Sequence, residues 1–545
     1  MLRRYPLILT LGALCLLAVG CGKNDSSPVN STAAATTAPG QDLRIGNGTA
    51  PQDLDPHIVT GVPEHRILMA LFEGLVTENP KDLSPEPGVA EKWEISPDGL
   101  VYTFHFRPDL KWSDGTPLTA GTFVRSYQRM LTPSLAAEYS YLLHFVRNAK
   151  DYNEGKLKDF SQVGFKAVDD RTLVVTLNSP TPFLLKILAS HYSWYPVPIH
   201  VIEKFGGLNR KGTAWTRPEN IVSNGAFKLK EWRQQQNLVV ARNPHYWDRA
   251  IVKLDEIHFL PVENQDTEER MFRTGQLDMT NELPLAKTDV YKKENPDALR
   301  IDHYLGVYFY RINNTQPPLN DKRVRRALAL AIDRESLVKN VVRGGQAPAY
   351  GLTYPGTAGY APAAKLTGTI EDAKRLLAEA GYPNGQGFPK VDLLYNTSQN
   401  HRVIAEAIQQ MWRRNLGIEI GLRNEEWKVY LDSQDNLAYG LQRAGWIADY
   451  VDPHVFLEIW GSDNLNNDTG FKNADYDALL KQALSARTEE ERYALYQKMD
   501  AILVEEVPVI PIYFYTKVAA MNPKVKGFHP TLLDNHPFKY VYLER

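Results

Sequence analysis

Hydrophobic and polar positions alternate in several short runs, and each predicts a strand. Leu43-Arg44-Ile45-Gly46 is the first, Val101-Tyr102-Thr103-Phe104-His105-Phe106 the clearest, and Leu173-Val174-Val175-Thr176-Leu177 a third. After the second comes Lys111–Pro117, where Asp114-Gly115 supplies a turn. Later the period changes from two to that of a helix. Val324, Ala327, Leu328, Ala331 and Ile332 share one helical face behind a capping Asn320 or Asp321. Val403, Ile404, Ala407, Met411 and Trp412 share another, in a helix that starts near Asn400 and stops at Gly417. That second helix lies between apolar runs Val391–Tyr395 and Ile418–Leu422, which predicts a parallel strand–helix–strand unit. A further helix is predicted over Glu371–Ala380. The C-terminal half therefore reads as α/β, and the stretch from about Phe72 to Pro196 as richer in strands and loops.

Two aromatic runs stand apart, Tyr304–Tyr310 and Ile510–Tyr515. Each borders a large α/β block. They are expected to be buried sheet strands, segments crossing between two lobes, or both; as crossing segments they would act as hinges.

The chain has 545 residues, 43% hydrophobic and 23% charged, which is too long for one core and predicts two or three domains. Its formal net charge of −2 argues against a nucleic-acid footprint, which needs a basic stripe. The first residues read as an export leader. Arg3 and Arg4 precede the apolar run Leu7–Leu17, too short to span a membrane. The leader (1–20) ends in Leu17-Ala18-Val19-Gly20-Cys21, which resembles a bacterial lipoprotein signal with Cys21 as the lipidated residue. Lipid chains on Cys21 would anchor the protein to a membrane without spanning it. Residues 21–41 then form a Ser-, Thr-, Ala- and Pro-rich tether. The only other cysteine, Cys15, also lies in the leader, so the folded body has no disulfide, thiol nucleophile or cysteine metal site.

The chemistry concentrates in Arg443-Ala444-Gly445-Trp446-Ile447-Ala448-Asp449-Tyr450. A carboxylate among Trp446, Ile447, Ala448 and Tyr450 is costly to bury unless a positive charge meets it. Six residues earlier, Arg443 can receive a carboxylate on its planar fork of donors. An acid and a base with aromatic residues between them suit a zwitterion such as a peptide. They equally suit an internal Asp–Arg ion pair beside a core tryptophan, and the segment alone leaves both open. Catalytic and cofactor motifs are missing. Gly46-Asn47-Gly48 lacks the third glycine of a dinucleotide loop, and there is no metal helix, phosphate loop or nucleophile elbow. His191, His200, His401 and His454 lack metal-ligand spacing, and Glu489-Glu490-Glu491 reads as a solvated helix face. The expectation is a binding protein without metal or cofactor, not an enzyme.

Many short segments, in order along the chain, then point one way. They are Leu54-Asp55-Pro56-His57, Gly61-Val62-Pro63-Glu64, Leu71–Leu75, Pro87–Glu91, Lys111–Pro117, Asn224-Gly225-Ala226, Asn320–Arg326, Leu393–Ser398 and Arg443–Tyr450. In them the chain resembles the oligopeptide-binding proteins of bacterial peptide ABC importers (extracytoplasmic solute-binding protein family 5), including murein-peptide-binding relatives. The resemblance implies an α/β, periplasmic-binding-protein type II-like fold of two lobes and an extra domain. Residues 42–72, 197–304 and 516–545 would form lobe I, 73–196 the extra domain, and 305–515 lobe II. It implies that Asp449 pairs with a peptide's α-ammonium. Val62, Gly445 and Ile447 would offer backbone hydrogen bonds, and Tyr139, Trp427 and Trp446 would wall side-chain pockets. Arg443 and His401 would reach the C-terminal carboxylate.

The implied protein is an extracytoplasmic, lipid-anchored monomer that delivers oligopeptides to the permease subunits of an ABC importer. Narrower readings are a murein-peptide or signalling-peptide receptor; readings of other classes are a peptide-modifying enzyme on this fold and a chaperone for unfolded chains. The chain departs from its relatives at Gln316 and Gln434, where a lysine and an arginine are usual, and at Arg311, where close relatives carry an acid. Gly306 and Ile447 stand where some relatives have a disulfide across the hinge. Arg311, if it faces the cleft, is expected to favour carboxylate side chains; if it turns to a surface acid, it contributes little.

Overall fold

In the computed structural model, which describes residues 40–486 and 488–544, both aromatic runs belong to long strands, Leu299–Ile312 and Val509–Ala520. These two strands pair antiparallel with each other, Leu299–His303 with Thr516–Ala520 and Val307–Arg311 with Val509–Phe514, with register breaks after His303 and Tyr308. At one end they are central in a six-stranded sheet. Its order is Ala347–Pro348, Val509–Ala520, Leu299–Ile312, Leu441–Ile447, Val391–Asn396, Ile420–Glu425. At the other end they run past 279–283, where Thr280 N–H donates to Ala520 O (2.9 Å) and Leu283 N–H to Val518 O (3.0 Å). Met279 bridges in turn to Ile45 of the Asp42–Gly46 strand. The strands thus have buried faces, as expected, and also carry the chain from one sheet to another.

Asp42–Gly46 is the edge of a four-stranded sheet, followed by Glu256–Leu260, Asn237–Arg242 and Phe227–Arg233. The stretch expected to be rich in strands holds its own antiparallel sheet, ordered Ala90–Ile95, Val101–Phe106, Thr172–Thr176, Phe165–Asp169. Residues from Gln41 onward form one compact unit. One large apolar core runs through the two four-stranded sheets, and a second lies under the six-stranded sheet.

Local signals explain most element ends. Val391–Asn396 and Ile420–Glu425 are parallel neighbours, joined by the helix Gln399–Leu416. Ser398 caps that helix and Gly417 ends it at φ +72°, a left-handed conformation that costs glycine nothing. A Cβ at Gly417 would also lie 2.5 Å from Asn384 O. Asp321 caps Lys322–Leu330 by accepting from Arg323 N–H (2.8 Å). The predicted face ran on to Ile332, but Asp333 starts a second helix, Arg334–Leu337, by capping Ser336 N–H. Glu489–Glu491 form the first turn of Glu489–Glu506, where negative charge meets the positive end of the helix. The leader, Cys15, Cys21 and all but the end of the 21–41 tether lie outside the described residues. Among the described residues no helix is long and apolar enough to cross a membrane, and no cluster of His, Cys, Asp and Glu is placed to hold a metal.

Candidate functional site

A cavity of about 270 Å³ is lined by all ten residues singled out in the sequence: Val62, Tyr139, Arg311, His401, Trp427, Arg443, Gly445, Trp446, Ile447 and Asp449. They come from far-apart segments. Val62 opens the helix Val62–Leu71, whose N-cap Gly61 has no side-chain cap. Tyr139 sits in the 3-10 turn Glu138–Leu143, and His401 is in the first turn of Gln399–Leu416. Trp427 begins the helix Trp427–Asp435. Arg443, Gly445, Trp446 and Ile447 belong to the strand Leu441–Ile447, with Asp449 just beyond it.

That strand has an open edge. On one side it pairs antiparallel with Leu299–Ile312 throughout; on the other, Val391–Asn396 pairs only with Leu441 and Gln442. Ala448 N–H donates to Leu305 O (2.8 Å), which turns the main-chain N–H of Ala448 toward Leu299–Ile312. The alternation of an antiparallel ladder then makes Trp446 and Ala444 hydrogen-bonded as well, and turns the backbone N–H and C=O of Arg443, Gly445 and Ile447 away from Leu299–Ile312. The Tyr430 hydroxyl donating to Arg443 O agrees with that direction. Gly445 and Ile447 therefore offer main-chain groups on the unpaired edge. Gly445 is glycine for a steric reason: a Cβ there would lie 2.5 Å from the Tyr515 hydroxyl.

The two charged residues of the motif do not pair with each other. Asp449 is 10% exposed, and the one basic group within ion-pair range among the described residues is His191, whose Nε2 is 3.4 Å from Oδ1. Ser193 N–H donates to His191 Nδ1 (3.1 Å), so the ring proton sits on Nε2. Burial, and secondarily His65, hold this imidazole well below its usual pKa, so it is neutral and brings no positive charge. Asp449 Oδ2 has no hydrogen-bond partner among the described residues. Burial pushes its carboxyl well above the usual carboxylate range. Arg443 donates to the Tyr515 hydroxyl (2.6 Å) and Asn396 Oδ1 (3.3 Å) and lies 4.7 Å from the Tyr308 ring centre. No described carboxylate lies within ion-pair range of it, and its Nε has no partner. Of the two readings left open by the segment, the internal Asp–Arg pair is excluded. One strand end presents an unmatched acid and an unmatched base to the same cavity, which costs free energy in the empty protein and suits a ligand with both charges.

The aromatic walls are held from behind. Trp446 Nε1 donates to Val455 O (2.8 Å), Trp427 stacks on Tyr430 at 5.5 Å, and Tyr139 packs 4.3 Å from the His191 ring. His401 is buried, lies 5.7 Å from Tyr308 and has an Nδ1 without a partner; burial and nearby Arg443 keep it neutral.

Arg311 departs from expectation. It does line the cavity, but it is not a free cation: Nη2 is 3.1 Å from Asp468, and Nη1 donates to Gln434 (2.5 Å). Nor is the acid exposed, as the alternative had it, since the Asp468 side chain is only 9% accessible. With its charge matched, Arg311 gives no ground for a carboxylate preference. Sequence reading also missed residues that the fold brings to the cavity. Tyr515 read only as part of an aromatic strand, and Glu138 carried no signal; His191, which does not line the cavity but stands 3.4 Å from Asp449, read as a scattered histidine.

Comparison with known proteins places this geometry in context. Residues 84–468 match the family described as "Bacterial extracellular solute-binding proteins, family 5 Middle". The chain is 41% identical over 517 residues to the periplasmic oligopeptide-binding protein OppA of Salmonella typhimurium, covering 92% of both. It superposes on the Haemophilus influenzae OppA complex with the peptide RPPGFSPFR at a TM-score of 0.88, with 35% identity, 93% of this chain and 100% of the other. On the murein tripeptide-binding protein MppA in its unliganded open form the TM-score is 0.61, with 36% identity, 93% of this chain and 98% of the other. Identity and coverage are nearly equal in the two cases. Another structure of the Escherichia coli murein tripeptide-binding protein MppA gives a TM-score of 0.88 with 35% identity, so the lower score of the open form reflects conformation, and this chain does not have the open arrangement.

Proposed function

The chain belongs to the family 5 bacterial extracellular solute-binding proteins, and from that membership we propose that it is an extracytoplasmic receptor that binds oligopeptides and delivers them to an ABC importer. One observation carries the reading: unmatched Asp449 and Arg443 face one cavity along an unpaired strand edge. In this reading a peptide adds itself as a strand beside Gly445 and Ile447, its ammonium on Asp449 and its carboxylate toward Arg443 and His401. Val62 adds a backbone contact, and Tyr139, Trp427 and Trp446 wall the side-chain pockets. Main-chain pairing reads what all peptides share, so specificity is broad and no bond is made or broken. Mass spectrometry of peptides released by denaturing the purified protein tests the reading. Oligopeptides with free amino termini support it, and a preparation that neither releases nor binds peptides overturns it. A single murein or signalling peptide in that pool would favour the narrower receptor.

Lobe I (42–72, 197–304, 516–545) and lobe II (305–515), with the extra domain 73–196, close as jaws about the two long strands. The drop in TM-score toward an open relative supports this. Peptide should therefore compact and stabilise the protein. A ligand bound only to the native closed form adds about 2.7 kcal/mol at a hundredfold excess over Kd. Small-angle scattering and melting temperature, both unchanged by saturating peptide, would exclude closure.

The Leu17–Cys21 segment supports a lipid anchor on Cys21. Cys21→Ser should release the protein from membranes and leave peptide affinity as it was. Membrane fractionation of the mature variant that still finds it sedimenting would place the anchor elsewhere.

A further inference from the structure

Asp449 is held from behind by two consecutive residues of a distant segment. The Ser190 hydroxyl donates to its main-chain carbonyl, and His191 Nε2 stands 3.4 Å from its Oδ1. His191 is fully buried and caps the short 3-10 turn Tyr192–Trp194: Nδ1 accepts from Ser193 N–H (3.1 Å) and lies 2.8 Å from the Ser193 hydroxyl. A backbone N–H can only donate, so Nδ1 carries no proton, and the ring is neutral with its proton on Nε2. The ring is fixed in place, stacked on Tyr192 at 4.2 Å and packed against the cavity wall Tyr139 at 4.3 Å. Its one N–H therefore faces the Asp449 carboxylate from just beyond good hydrogen-bond distance, and Nε2 has no hydrogen-bond partner among the described residues. Asp449 Oδ2 is equally unpartnered.

We propose that His191 is a positioning residue for ammonium capture, a role that rests on reading the cavity as a peptide site. When a ligand ammonium takes Asp449 Oδ2, the His191 Nε2–H closes onto Oδ1 and fixes the carboxylate for that contact. The neutrality of the donor is what makes this useful. A lysine or arginine in its place would match the Asp449 charge within the protein and compete with the ligand. A neutral N–H orients the oxygen and leaves the charge for the ligand to match. Support of this kind behind a ligand-binding group keeps it within the narrow geometry that binding needs. The rival role for His191 is the turn cap alone.

Two substitutions separate the roles. His191→Asn keeps an acceptor where Nδ1 stands, so Ser193 N–H stays capped, but removes the group that faces Asp449; His191→Gln keeps a donor where Nε2 stands and loses the cap. Calorimetry with one short alanine-based peptide, its amino terminus free or acetylated, reads the ratio of the two affinities, which a general weakening of the site leaves unmoved. In His191→Asn the free-to-acetylated ratio should fall at least about tenfold, or about 1.4 kcal/mol, and in His191→Gln most of it should be kept. A wild-type ratio in His191→Asn, or an equal fall in both variants, overturns the proposal while leaving the peptide site intact; a wild type that binds neither peptide overturns the peptide site instead. Should either variant fail to fold, NMR of the histidine ring nitrogens in the wild type answers the same question. The His191 Nε2 proton must be present and must shift downfield with the free peptide but not with the acetylated one, and identical spectra sink the idea.

Discussion

Asp449→Ala should weaken binding of peptides with a free amino terminus by about 2–5 kcal/mol, the range for removing one partner of a buried charge pair. The expectation follows from what surrounds the carboxylate. It is 10% exposed, its imidazole neighbour is neutral, and its Oδ2 has no partner among the described residues. In the empty protein burial raises its pKa. An arriving ammonium would lower that pKa again and hold the charged form. Blocking the ligand should mimic the mutation, so N-acetylated peptides should bind the wild type weakly, and acetylation should make little further difference in Asp449→Ala. The two changes remove the same interaction and are therefore strongly non-additive. Calorimetry that finds free and acetylated peptides equally tight in the wild type would remove the ammonium from Asp449.

Arg129→Met should lower stability by about 3–5 kcal/mol, the cost of leaving a buried charge without its partner. The pair it breaks is Asp55–Arg129, with contacts of 3.0 Å and 2.5 Å and side chains 2% and 0% exposed. Asp55 also accepts from His57 N–H (3.0 Å) and Trp215 Nε1 (3.3 Å), so one carboxylate ties together three segments of the chain. Burial works against the Asp55 charge, but Arg129 and the hydrogen bonds outweigh it, and the net pKa is lowered. A folded-state pKa below the unfolded value, about 3.9, means that this stability is present above that pH and is lost as pH falls through the folded value. Denaturant unfolding at pH 7 measures the loss. Pairing Arg129→Met with Asp55→Leu should recover part of it, since no charge is then left unmatched. A single variant within about 0.5 kcal/mol of wild type, the range of an ordinary surface change, would show the pair to be energetically idle.

The sequence by itself determined the local structure and the half of the site that depends on local contrast. Alternation over Val101–Phe106 specified a strand with those bounds, because a strand's two faces meet different surroundings. Asp321 and Gly417 marked helix ends because caps act within a few residues. Asp449 stood out because an acid among apolar neighbours needs an explanation wherever the chain goes. The resemblance then brought together residues that no periodicity connects, and all ten line one cavity. What the sequence left open were pairings between distant residues. Asp449 and Arg443 are close in the chain yet separate in partners, whereas Arg311 meets Asp468 across 157 positions and its charge is matched there. Glu138 faces that pair from another part of the chain, and its polarity alone says nothing about it. Only tertiary structure decided these points. Electrostatic free energy depends on distance and burial, and folding sets both without regard to separation along the chain.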